Sequence, residues 1–237
     1  MKKVFAIFAI ALMTGTVAHG QSDNATKFRL GIKLAPNLSW IRADTKGVKS
    51  DGSKVGYTFG LMTEFPFGAN GNYRFATGLM LNNIGGKVVE SFAVDTLGVT
   101  TSVENSSSVN LRYIDLPLTI KLMTNEIGYM RYFGQLGFDA GVNIRAKGDA
   151  QRITTSLNRT TDQKLTDVDF KNMVSPVKLG LVIGAGFEYN FSGGTSAMVG
   201  VSYHSSFTKL LEKDFYENIT GGKTYADYIE LCLGVYF

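Results

Sequence analysis

The sequence predicts an all-β protein: an eight-stranded antiparallel up-and-down transmembrane β-barrel with short periplasmic turns and long extracellular loops. Three observations predict it. Apolar residues recur with period 2 through most of the chain after residue 26, the connections alternate between long and short, and aromatic residues gather at both ends of the alternating segments. The alternation is clearest in the last stretch. Ile229, Leu231, Leu233, Val235 and Phe237 share one face there, and Tyr228, Glu230, Cys232, Gly234 and Tyr236 share the other. A chain that stops on such a strand, with its terminal Phe on the apolar face, has the form of the closing strand of an outer-membrane barrel.

The chain opens with Lys2 and Lys3, an apolar run from Val4 to Met13, and the small residues Ala18 and Gly20 ahead of Gln21. That order describes a secretory signal peptide over residues 1–20, cleaved before Gln21. Its apolar run is too short for a membrane helix, which needs about 20 residues. Residues 21–26 read as a polar lead and 27–237 as the outer-membrane barrel domain. Cleavage removes two of the 24 basic residues and none of the 20 acidic ones, so the mature chain carries a formal charge of +2. Its basic residues are dispersed, which excludes a nucleic-acid footprint. After the signal no apolar run is long enough for a helical span. Cys232, the single cysteine, cannot form an intramolecular disulfide and reads as a small filler on the inner face of the last strand.

From Lys27 the first strand alternates Phe28, Leu30, Ile32 and Leu34 with Arg29, Gly31, Lys33 and Ala35, and runs on irregularly to Trp40. A polar segment over 42–54 reads as the first long loop. The second strand, 55–65, reaches a tight Gly- and Asn-rich turn at 66–72, and the third follows over 73–82. A second long loop is expected over 83–108. The fourth strand, 109–123, has Ile114, Leu116, Leu118, Ile120 and Leu122 on its apolar face; Pro117 lacks a ladder donor and predicts a bulge or an irregular hydrogen bond. A short link at 124–129, a fifth strand at 130–143 and the longest loop, 144–173, come next. The sixth strand, 174–189, a turn at 190–194, the seventh strand, 195–206, and a loop over 207–224 lead to the closing strand. A soluble eight-stranded barrel has no reason to sort its loops by length; a membrane barrel does. Phe28, Phe65, Phe67, Tyr73, Phe75, Tyr132, Phe187, Tyr189 and Phe237 fall beside the short turns. Trp40, Tyr57, Tyr113, Tyr203, Phe207 and Tyr225 fall near the long loops, so the two groups resemble paired interfacial girdles.

Parity then assigns a lumen. Arg29, Lys33, Arg74, Lys121, Arg131 and Lys178 point inward with Glu64, Asp115, Asp139, Glu188 and Glu230. Eight strands enclose a space that side chains fill, and unpaired buried charges are costly. These groups are therefore expected to neutralise one another as a structural salt-bridged plug, with an ion-selective constriction as the alternative. Glu64 and Arg74 should face each other across the 66–72 turn.

His204 and Ser206 share a face near the outer rim, a spacing similar to that of the lipid A deacylases, and a Ser–His pair can serve as nucleophile and base. Those enzymes work at a lipid-facing surface, whereas parity turns His204 inward and no acidic orienting partner is visible. No catalytic residue is assigned. No His/Cys cluster has metal-ligand spacing, and Gly184-Ala185-Gly186 lies within a strand rather than a phosphate loop, so neither metal nor cofactor is expected.

Tyr113-Ile114-Asp115-Leu116-Pro117-Leu118-Thr119-Ile120-Lys121 resembles the Tyr-x-Glu/Asp-apolar-Pro-apolar-x-apolar-Lys strand of the PorT-like outer-membrane β-barrel proteins of Bacteroidetes, with Tyr113, Asp115, Pro117 and Lys121 at the motif positions. Gly31-Ile32-Lys33 with Asn37-Leu38-Ser39 resembles that family's first strand, and Gly180–Tyr189 its Gly-rich sixth. The resemblance implies an integral outer-membrane protein without enzymatic activity, in a family whose namesake is tied to type IX protein export. The function expected is a structural or partner-binding barrel of the cell envelope, in contact with outer-membrane lipid and another envelope or secretion protein. A narrow porin-like channel and a rim lipid hydrolase are the alternatives. No nucleic acid and no small-molecule substrate is expected.

Overall fold

Period-2 alternation commits each strand to one apolar face, and the structure turns those faces outward. In the computed structural model, Leu61 and Leu79 are 60% exposed and Leu136 55%, while the alternate residues Glu64, Lys121 and Glu188 are almost wholly buried. An apolar wall running around the whole molecule far exceeds what a water-soluble monomer leaves uncovered, and lipid is the medium that suits it. The structure describes residues 28–237 apart from 69–70, 97–98, 158, 193, 213–214 and 218–221. The expected signal peptide and the polar lead lie outside the described residues.

The strands are β1 (Arg29–Ala43), β2 (Val48–Phe67), β3 (Tyr73–Thr96), β4 (Val99–Met123), β5 (Met130–Ser156), β6 (Arg159–Asp169), β7 (Val177–Ser192), β8 (Thr195–Ser206) and β9 (Thr224–Tyr236). All but β6 form a closed antiparallel ring of eight, in which each strand pairs with its neighbours in chain order and β9 returns to β1. This is the up-and-down barrel that the alternation predicts. β6 stands outside the ring. β5 pairs with β7 over Met130–Val142 and then, further out, with β6 over Lys147–Ser156.

The long loops are where the sequence reading needs correction. Most of 83–108 is strand: β3 runs to Thr96 and β4 starts at Val99, with pairs from Lys87↔Ser108 to Thr96↔Val99. Likewise β5 extends to Ser156 and β6 fills 159–169 of the expected 144–173 loop, and β2 begins at Val48 within the expected 42–54 loop. Beyond the membrane no lipid covers the outer face of a hairpin, although Val88, Glu90 and Val103 stay buried on the other. Polar residues then occupy both parities, and the ladder continues with no periodic sign of it.

Pro117 keeps its register opposite Asp139 on β5, but the ladder to β3 is broken between Thr77↔Leu118 and Met80↔Asp115 without any shift. That is the irregularity expected of a residue without an N–H; the bulge in the β4–β5 ladder falls instead beside Arg112/Tyr113, where Ile144 of β5 is the extra residue. Aromatic pairs mark the turn end of the wall, among them Phe28–Phe65 at 5.1 Å and Phe67–Tyr73 at 6.0 Å. At the other end Trp40 lies 6.4 Å from Tyr203. Tyr113 does not belong to that girdle, because it is fully buried on the inner face.

Candidate functional site: a filled lumen

Inward parity on neighbouring strands stacks charged residues at two levels. Nearer the short turns, Glu64 on β2 accepts from Arg29 Nη2 at 2.5 Å, Lys121 Nζ at 2.7 Å, Arg74 Nη1 at 3.3 Å and the Tyr236 hydroxyl at 2.6 Å. Glu188 on β7 accepts from Arg29 at 2.9 Å and also from Lys121. Lys121 sits over the Phe133 ring at 4.1 Å and Arg29 over Tyr236 at 4.4 Å. Glu64 and Arg74 do meet, but diagonally: the ladder sets Glu64 opposite Ala76 and Arg74 opposite Pro66. Arg131 is at the mouth, opposite Glu188 in register, and its salt bridge runs to Glu126 in the turn at 3.2 Å.

The second level lies further along the same faces. Lys178 Nζ donates to Asp115 at 2.8 Å and Asp139 at 3.0 Å. Asn82 Nδ2 donates to Asp115 at 2.7 Å and to the Tyr228 hydroxyl at 3.0 Å. Lys33 pairs with Glu230. His204 lies between two carboxylates, with Nε2 3.1 Å from Glu230 and Nδ1 3.4 Å from Asp139, and its ring stacks on Tyr228 at 4.2 Å.

Between the levels stand Met62 on β2, Met80 on β3, Met198 on β8 and Cys232 on β9, part of a buried cluster with Met123, Phe133 and Tyr236. The residual cavity there is about 60 Å³. Above the second level a larger apolar cluster closes the outer mouth. It joins Ile41, Ile84, Val109 and Leu111 of the strands to Phe170, Val174, Leu210, Leu211 and Tyr216 of the connecting segments.

Charge-and-parity reading finds the ionic residues but misses Asn82, Tyr228 and Tyr236, which satisfy the carboxylates as neutral donors; their inward parity is the only signal they carry. It also places His204 at the rim without an acidic partner, whereas the barrel buries it against two carboxylates. Ser206 is turned elsewhere, with Oγ 3.2 Å from the carbonyls of Leu179 and Thr208, and shares no hydrogen bond with His204 among the described residues. A nucleophile needs its base within hydrogen-bond reach, so the pair is not assembled. Cys232 Sγ is 3.4 Å from both Ser202 Oγ and Glu230, a buried filler as parity suggests. The motif strand contributes to both levels: Asp115 serves the upper one and Lys121 the lower, while Tyr113 is buried above them.

Among the solved structures similar in fold are three outer-membrane proteins. They are the Neisserial surface protein A, at 13% identity over 88% of this chain and 95% of that one with a TM-score of 0.46; OprG of Pseudomonas aeruginosa, at 12% over 91% and 99% with 0.44; and the outer membrane protease OmpT of Escherichia coli, at 9% over 92% and 99% with 0.39. No curated protein matches the sequence. The family model for the outer membrane protein beta-barrel domain matches residues 19–190. That span is well over half of the chain and includes β1 to β5, from which Glu64, Lys121, Asp115 and Asp139 come, and the protein therefore belongs to the outer membrane protein beta-barrel domain family.

Proposed function

We propose that this chain is a non-conducting, non-enzymatic barrel of the PorT-like type, exported by a signal peptide cleaved before Gln21, that presents an extracellular sheet to another envelope protein. One observation carries the reading. β3, β4 and β5 are 24, 25 and 27 residues long, whereas about 9–11 residues suffice for a tilted strand to cross a bilayer. The surplus stands outside the membrane as a sheet, and β6 ends it with an edge pairing on one side only. β6 is exposed along nearly its whole length, and such an edge is a ready template for a strand from a partner. The Tyr113–Lys121 motif supports the PorT-like assignment, and with it a role accessory to protein export.

The test is photo-crosslinking in cells from Thr161 and Gln163 on β6, with Leu79 on the lipid-facing wall as the comparison. A discrete protein adduct from the β6 positions, absent from Leu79, is the expected result. Recovery of the barrel without any adduct from either β6 position would overturn the partner-binding reading.

A further inference from the structure

The outer wall of β2–β5 changes character between two consecutive cross-strand rows. Phe59, Leu81, Ile114 and Val142 are register partners in turn across the four strands, and they are apolar. The next row toward the extracellular side is Tyr57, Asn83, Arg112 and Arg145, again partners in turn. Beyond it Lys147 lies opposite Asn110, and Lys54 Nζ donates to Asn110 Oδ1 at 2.6 Å. These residues frame a cavity of about 450 Å³, with Asp149 and Asp167 on its far side.

The charges in this cavity are not balanced. Asp167 is paired with Lys147, 2.7 Å away, and that hydrogen bond, with a weaker Coulombic pull from Arg145, holds its carboxyl below the usual range; four cations still face two carboxylates around the cavity. Arg112 uses Nε on Asn83 Oδ1 at 2.7 Å. Neither Arg112 nor Arg145 has a salt bridge among the described residues, although the two are directly opposite in the ladder. Like charges in that relation are destabilising, and two guanidinium forks side by side match the geometry of a phosphate. Their height matters as well. They follow immediately on the last apolar row, beside Tyr57, where lipid headgroups meet the wall of a membrane barrel.

We propose that this cavity binds a phosphate group carried on the headgroup of an outer-leaflet lipid, held between Arg112 and Arg145. The apolar row below accommodates the acyl chains, while Lys54 and Lys147 add attraction from the outer side.

The test uses the full-length barrel in dodecyl maltoside and native mass spectrometry. The probes are bisphosphorylated lipid A and the same lipid with its phosphates removed. Wild type is expected to retain the phosphorylated lipid. R112Q/R145Q should bind it about tenfold or more weakly, and K171Q/K209Q, which removes equal charge elsewhere, should bind it as wild type does. The dephosphorylated lipid should not distinguish wild type from R112Q/R145Q. Equal retention of the phosphorylated lipid by R112Q/R145Q and wild type would overturn the site. Displacement of the lipid by an equimolar amount of inorganic phosphate would overturn the lipid as its source. A second readout guards against a folding defect: R145Q alone, without lipid, should unfold at a higher temperature than wild type, because it relieves the like-charge pair. A midpoint lowered by R145Q would assign the arginines a purely structural role instead.

Discussion

At the scale of single residues, charge arithmetic ranks the lumen positions. The lower level holds three cations, Arg29, Arg74 and Lys121, around two carboxylates, Glu64 and Glu188. Glu64→Ala leaves three cations facing one carboxylate and takes the acceptor from the Tyr236 hydroxyl. Removing one partner of such a buried network costs about 3–5 kcal/mol. Lys121→Met instead leaves two cations for two carboxylates, with Arg29 still bridging both, and should cost clearly less than Glu64→Ala. Arg131→Gln loses only a half-exposed pair with Glu126 and should change stability by at most about 1 kcal/mol. Urea unfolding in micelles, followed by Trp40 fluorescence, measures all three. A Lys121→Met variant weaker than Glu64→Ala would show that net charge does not set the order.

At the scale of elements, the closure of the outer mouth depends on segments that are not strands. Leu211 is 1% exposed and packs with Phe170, Val174 and Leu210 over the lumen. A buried Leu→Ala change costs about 2–5 kcal/mol, and here the cost falls on the packing that docks a connecting segment over the lumen. Leu211→Ala should therefore become sensitive to protease within 207–223 while the ring keeps its folded mobility on unboiled gels. Unchanged proteolysis would mean that the cap is held by other contacts. The same contrast explains what was legible in the sequence. Glu64, Lys121 and Glu188 were readable as inward because a strand with lipid on one side must alternate strictly, so parity alone assigns the face. Ser106–Ser108 and Thr160–Gln163 are not readable as strand, because no lipid covers one face there and nothing forces apolar and polar residues to alternate. Leu210 and Leu211 carry no periodic signal, and their burial comes only from the closed ring beneath them.

At the scale of the whole molecule, the lumen is obstructed three times in series. The ionic level at Glu64, the methionine and Cys232 layer with the second ionic level, and the apolar cap at Leu211 each fill the cross-section. An ion must pass all three, so the barrier is set by the stops that remain, and easing one leaves the others in place. Conductance in a planar bilayer should therefore be absent for wild type, and equally absent for Glu64→Ala and Arg74→Ala, although both disturb the lower level. This separates a plug from a selectivity filter. In a filter, neutralising a charge in the constriction changes the current or its ion preference, whereas in a serial plug it changes stability and leaves the current at baseline. A steady single-channel current from wild type, altered in selectivity by Glu64→Ala, would make the lower level a constriction and the barrel a pore.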